Sequence, residues 1–165
     1  MESLTGVLFC AVVAIAGSGD GVELTARCSK VEGVVQESDK MVQVRLAGID
    51  VPQAAQPYGA DAWSMMNELL IKRPVRFVCP DLGKVPEGAA GQEQFSKPLS
   101  CTAWAVPASA PNGRETLDIG MAMLTVGLAV YNEDTAGILS PQQRGQYSFA
   151  QEEARAKKVG VWKKE

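Results

Sequence analysis

Histidine is absent from the 165 residues. That removes every Ser-His-Asp or Cys-His catalytic arrangement, any histidine general base and any zinc site with histidine ligands. Cysteine is scarce: Cys10, Cys28, Cys79 and Cys101 stand alone, with no CxxC spacing, so a zinc ribbon or a thioredoxin-like redox pair is excluded. Small secreted domains held by disulfides carry a denser set, so the expectation is four buried free thiols and an intracellular setting, cytoplasmic or organellar, rather than secretion. A basic excess is also missing. Sixteen Lys and Arg against nineteen Asp and Glu give a net charge of -3, whereas binding through phosphates normally shows a basic balance. Nucleic-acid contact would have to come from a local patch. The apolar run from Val7 to Gly17 (VLFCAVVAIAG) is too short to cross a membrane. The preceding MESLTG carries Glu2 and no Lys or Arg, where a signal peptide needs basic residues. The run therefore reads as a buried first strand, and no membrane association is expected.

What is present is an ordinary globular composition. Hydrophobic residues make up 46% and charged residues 21%, which excludes disorder and coiled coil and suits one domain over residues 1–165. Gly17-Ser18-Gly19-Asp20-Gly21 reads as a turn. Val22 to Cys28, Val31 to Gln36 and Met41 to Ala47 alternate as strands, with Glu37 to Lys40 as a turn. Ala62, Met65, Met66, Leu69 and Leu70 form one helical face after Gly59, and Pro74 stops that helix. Val75 to Cys79 and Leu99 to Val106 are further strands, separated by a Gly- and Pro-rich loop from Pro80 to Pro98. A second helix carries Ile119, Ala122, Met123 and Val126 and ends at Gly127; a third runs to Lys158 and starts at Ser140-Pro141 or at Ser148. Five or more short strands with three helices describe an α+β fold, a small barrel with helices packed outside it.

Val44-Arg45-Leu46-Ala47-Gly48-Ile49-Asp50-Val51-Pro52-Gln53, followed by Gln56-Pro57-Tyr58-Gly59-Ala60-Asp61-Ala62, resembles the staphylococcal nuclease-like (thermonuclease) family. Leu124 to Ala129 is similar to that family's L-V-x-x-G-L-A, and Glu153 to Lys158 with Gly160 to Trp162 is similar to its closing E-A-x-A-K-x…G-x-W. The resemblance implies an OB-type five-stranded barrel with three helices. It also implies Ca²⁺-dependent phosphodiester cleavage in single-stranded nucleic acid, using two aspartates and a carbonyl on the metal, a glutamate base and two arginines.

Carried over by position, Asp50 matches one metal aspartate, Asp20 the other, and the Val51 carbonyl a third ligand, while Arg45 matches the first arginine. Gln53 stands where the glutamate belongs, and Ser100 where the second arginine belongs. Lys97 and Tyr58 are substrate-binding positions by the same resemblance. An amide cannot take a proton from water, and losing a general base costs about 10²–10⁴ in rate. The first expectation is therefore a degenerate, non-catalytic module, without Ca²⁺, that acts as an interaction or assembly domain with a protein partner. The alternatives are a weak Ca²⁺-dependent endonuclease and a nucleic-acid-binding module without cleavage.

Plainer roles stand beside these. Asp20 and Asp50 are also good turn residues, and Arg45 can lie along the barrel and pair with a nearby carboxylate. Arg155, Lys157, Lys158, Lys163 and Lys164 form a basic patch but also suit a helix C-terminus. Trp63, Trp104 and Tyr131 could stack bases or pack in the core.

Overall fold

The computed structural model describes residues 6–18, 21–31, 40–71, 73–80, 99–107, 109–110 and 112–163. Asp20, Lys97, Lys164, residues 32–39 and most of the Pro80–Pro98 loop lie outside the described residues.

Five strands close on themselves. β1 (Gly6–Ser18), β2 (Gly21–Val31) and β3 (Lys40–Leu46) form an antiparallel meander, and β1 also pairs with β5 (Pro74–Cys79), which pairs with β6 (Leu99–Ala105). β6 then runs parallel to β3, with Val44 opposite Leu99, Arg45 opposite Ser100 and Leu46 opposite Cys101. That pairing closes the barrel and removes its edges, the solution expected of an OB-type α+β fold. Alternation decides which side chains fill it. Leu8, Cys10 and Val12 point inward with Val22, Leu24, Ala26 and Cys28, with Val42, Val44 and Leu46, and with Val75, Phe77 and Cys79. Phe77 and Leu24 are fully buried, each contributing about 1.5–3 kcal/mol by removal from water.

Two sequence expectations change here, that of a buried β1 and that of free thiols. β1 is a strand, but only half of it is buried: Val13 is 47% exposed, because alternate residues face out. Of the strand expected over Val31 to Gln36, Val31 ends β2 and residues 32–36 lie outside the described residues. The cysteines are not free thiols. Cys10 is bonded to Cys28 and Cys79 to Cys101, with Cα–Cα distances of 4.0 and 4.3 Å. Cys10 and Cys28 are register partners on β1 and β2, and the Val78–Thr102 register brings Cys79 opposite Cys101. Wide sequence spacing concealed pairs that strand register brings face to face. Closing loops of 18 and 22 residues stabilises the fold by about 3 kcal/mol each.

The helices follow the periodicity with one adjustment. In α1 (Gly59–Leu70) the buried stripe is Ala62, Met66 and Leu70, while Met65 and Leu69 are half-buried flanks. β4 (Ile49–Asp50) follows β3, and β7 (Leu117–Asp118) leads into α2 (Ile119–Thr125). Gly127, with φ of 75°, supplies the left-handed turn after α2. β8 (Val130–Tyr131) pairs with β4, a 3₁₀ turn spans Glu133–Ile138, and α3 runs from Pro141 to Lys157. Of the two possible starts for α3, Ser140 is the one used. Its hydroxyl accepts from the Gln143 N–H at 3.1 Å and the Gln143 side chain accepts from the Ser140 N–H at 3.0 Å, a reciprocal cap. A second 3₁₀ turn, Gly160–Trp162, follows.

Candidate functional site

Barrel closure puts Arg45 and Ser100 side by side, because they are partners across β3 and β6. Both line a cavity of about 550 Å³ whose other walls are Pro80 and the 3₁₀ turn residues Asp134, Thr135, Gly137 and Ile138. Arg45 Nη2 donates to Glu23 Oε1 at 2.9 Å, and Glu23 is its register partner on β2. Pairing with a carboxylate, the plainer expectation for Arg45, is therefore present. Yet Arg45 Nε is buried with no hydrogen-bond partner among the described residues. The guanidinium is held at one nitrogen and unsatisfied at another.

Asp50 ends β4 and reaches the same 3₁₀ turn through Asn132. Asn132 Nδ2 donates to Asp50 Oδ2 at 2.9 Å, while Asn132 Oδ1 accepts from the Asp134 N–H at 2.9 Å. The Gly48 N–H donates to Thr135 Oγ1 at 3.0 Å, tying the β3–β4 turn to the cavity wall. Asp50 Oδ1 is buried and has no hydrogen-bond partner among the described residues. An unpaired buried carboxylate oxygen carries a desolvation cost of about 1–3 kcal/mol, which a bound cation would relieve. Oxygen donors suit Ca²⁺, and Asp50 Oδ1 meets that requirement. Among the described residues no three His, Cys, Asp or Glu side chains gather as a metal cluster, so this part of the molecule offers one carboxylate of the pair, with Asp20 outside the described residues.

Gln53 is placed elsewhere. It is exposed, its N–H donates to Gln56 Oε1 at 2.8 Å, and its carbonyl accepts from the Gln56 N–H at 2.8 Å. With Ile15, Ala54 and Trp63 it lines a separate cavity of about 410 Å³. The chain can turn there because Gly59 lacks a Cβ, which would run into the Gln53 carbonyl oxygen. Tyr58, just before, takes a left-handed φ of 64° and is half-buried. Ser100 thus joins Arg45, and Gln53 does not line their cavity.

The stacking candidates are mostly committed. Trp63 Nε1 donates to the Pro52 carbonyl at 2.9 Å and its ring, like that of Tyr131, packs against the core. Trp104 donates to Thr102 Oγ1 at 3.0 Å and carries Arg76 over its ring at 5.5 Å. In the C-terminal patch, Arg155 pairs with Glu152 at 3.1 Å and lies over Trp162 at 5.1 Å, whereas Lys157, Lys158 and Lys163 are exposed. Sequence reading missed Glu23, Asn132, Asp134 and Thr135. Glu23 could have been found, since it is an outward position of the alternating VELTARC strand. Asn132 and the 3₁₀ turn carried no periodic signal.

A family model described as Staphylococcal nuclease homologue matches residues 43–164, about three quarters of the chain. Among curated proteins the chain is similar to "Probable endonuclease C19F8.04c" of Schizosaccharomyces pombe, with 28% identity over 131 residues, covering 76% of this chain and 51% of that protein. It is also 29% identical over 133 residues to "Probable endonuclease lcl3" of Botryotinia fuckeliana, covering 75% of this chain and 43% of the relative. The corresponding Aspergillus flavus protein is 29% identical over 133 residues, with 76% and 44% covered. The chain thus spans about half or less of the length of these relatives. Among the described residues, no helix is long and apolar enough to cross a membrane. The matched span takes in Arg45, Asp50, Ser100 and the 3₁₀ wall, so the cavity lies inside the shared domain, and the chain belongs to the staphylococcal nuclease family.

Proposed function

We propose that this domain is a Ca²⁺-dependent phosphodiesterase, an endonuclease acting on single-stranded nucleic acid. The observation that carries the reading is that, of the three buried side-chain atoms without a hydrogen-bond partner among the described residues, Arg45 Nε, Asp50 Oδ1 and Trp162 Nε1, two belong to charged side chains. Arg45 is a cationic donor and Asp50 an anionic acceptor, the two kinds of group needed to hold a phosphate and its counter-cation. The names of the relatives, each a "Probable endonuclease", support the same direction.

In this reading Asp50, with Asp20 and the Val51 carbonyl, holds Ca²⁺, which when bound polarises a phosphate oxygen and orients water. Arg45 donates to the phosphoryl oxygens, with Glu23 fixing its plane, and the Ser100 hydroxyl donates beside it in place of a second guanidinium. Gln53 cannot serve as base. Among the described residues the carboxylate lining the Arg45 cavity is Asp134, and it takes the water's proton. The disulfides suit an oxidising compartment better than the reducing cytoplasm, and such a setting is part of the proposal in place of the free-thiol expectation.

The test is incubation with heat-denatured DNA and millimolar Ca²⁺, with EDTA as control. EDTA-sensitive cleavage is expected, reduced at least about 10²-fold in Asp50→Ala and in Asp134→Asn. Wild-type cleavage no greater than that of Asp50→Ala would sink the reading. A second reading, a non-catalytic domain that binds a protein partner, is favoured by Gln53 and Ser100 specifically. It predicts an inert wild type, with no EDTA-sensitive cleavage at any Ca²⁺ concentration tested.

A further inference from the structure

Two guanidiniums, Arg76 and Arg114, line one cavity beside β7, and among the described residues neither forms an ion pair. Arg76 Nη2 donates to the Glu115 carbonyl at 3.1 Å. Arg114 is exposed and has no hydrogen bond or ion pair among the described residues. Carbonyls orient a guanidinium without cancelling its charge, unlike Glu23 at Arg45 or Glu152 at Arg155. Arg76 and Arg114 line a cavity of about 460 Å³ together with Phe9, Glu115 and Thr116. The Glu115 carboxylate offsets one of the two guanidiniums, which leaves the wall cationic. Phe9 is the register partner of Arg76 on β1, and Trp104 its partner on β6.

We propose that this cavity is a second binding site, which takes a phosphate of a single nucleic-acid strand on Arg76 and Arg114. Guanidinium forks match phosphate oxygens in pairs. Ser100 and Trp104, four residues apart on β6, are the cross-strand partners of Arg45 and Arg76, so these two arginines are offset by roughly 13 Å along the strand direction. One strand covering the ~4–16 nucleotides typical of an OB fold can reach both. The inference rests on the nucleic-acid reading above and gives the strand an anchor away from the reacting phosphate.

The test uses the full chain in EDTA, where cleavage is off, and follows a labelled oligothymidylate of about 16 nucleotides by fluorescence anisotropy. Titrations are made at about 50 and 200 mM salt. Wild type is expected to bind, more tightly at low salt. Arg114→Glu, at an exposed position without partners, is expected to weaken low-salt binding about ten-fold and to flatten the salt slope by roughly 0.7 for each phosphate no longer engaged. Arg144→Glu, an exposed arginine on α3 with the same change in net charge, is expected to have little effect. Wild type failing to bind at low salt, Arg114→Glu matching wild type, or Arg144→Glu weakening binding equally would each overturn the proposal. Binding that depends on Arg114 in a chain that never cleaves with Ca²⁺ removes the cleavage reading and leaves this site standing.

Discussion

Asp50 and Asp118 each follow an isoleucine or leucine at the end of a two-residue strand, yet their surroundings are opposite. Asp118 Oδ1 accepts from the Gly120 N–H at 3.0 Å, the Met121 N–H at 3.4 Å and the Tyr147 hydroxyl at 2.8 Å, and Oδ2 accepts from the same hydroxyl at 3.0 Å. It caps α2 and ties it to α3, and all its capacity is used inside the protein. Asp50 has one oxygen on Asn132 and the other buried without a partner among the described residues. A carboxylate that serves the scaffold is satisfied by the scaffold. One left half-satisfied marks a place where stability has been given up, which is the ground for the cation proposed at Asp50.

The strongest way to break the scaffold half of this comparison is Gly120→Ala. A Cβ there would stand 2.5 Å from the Tyr147 hydroxyl oxygen and 2.8 Å from Cζ, and Tyr147, 1% exposed, has nowhere to retreat. Overpacking costs about 1–3 kcal/mol, and displacing the hydroxyl from Asp118 leaves buried polar groups unpaired at about 1–3 kcal/mol more. A loss of roughly 2–6 kcal/mol is expected in urea unfolding. A change below about 1 kcal/mol would mean that the α2–α3 contact is looser than the distances indicate.

A direct contrast of the two aspartates sharpens it. Asp118→Ala removes the α2 cap, about 0.5–2 kcal/mol, and strands the Tyr147 hydroxyl, about 1–3 kcal/mol. Asp50→Ala frees Asn132 Nδ2 but also removes an unsatisfied oxygen, so the two effects offset to within about 1 kcal/mol. Chemical denaturation of both variants decides the matter. Equal destabilisation would make Asp50 a structural residue and withdraw its claim on a cation.

The barrel was legible because alternation is a local signal: VELTARC, MVQVRL and VRFVC each declare an inner face. Arg45 and Asp50 were legible because the Arg45-to-Gln53 stretch is contiguous and carries its turn residues with it. The disulfides were not, since Cys10 meets Cys28 only through register across a bulged pair, with shifts at Phe9/Cys10 and Val12/Ala14. Nor was the displacement of Gln53, which follows from Gln56 turning the chain over Gly59. The cavity wall is the least legible part, because Asp134 and Thr135 reach Arg45 from a 3₁₀ turn near residue 135, about ninety positions away. Contacts of that separation leave no periodicity to read.

The smallest expected effect concerns the pH dependence of stability. Burial pushes the Asp118 carboxyl above its ordinary value of 3.8, a rise that the hydrogen bonds from Tyr147, Met121 and Gly120 only partly oppose. Above 3.8 and up to that raised value the folded chain therefore holds more protons at this site than the unfolded chain does. Stability contributed there falls as pH rises through the window and is constant above it. Asp118→Asn keeps a side-chain oxygen for the Gly120 N–H and Tyr147 but does not titrate. The stability of wild type minus that of Asp118→Asn should accordingly decline with rising pH from about 3.8 and then level off, with the other carboxylates cancelling in the difference. Urea midpoints at matched ionic strength across the acid range measure it. A difference that climbs with pH instead would mean that hydrogen bonding outweighs burial, so that Asp118 prefers its charged form. Tyr147 and the two α2 amides would then hold the Asp118 carboxylate charged against its burial.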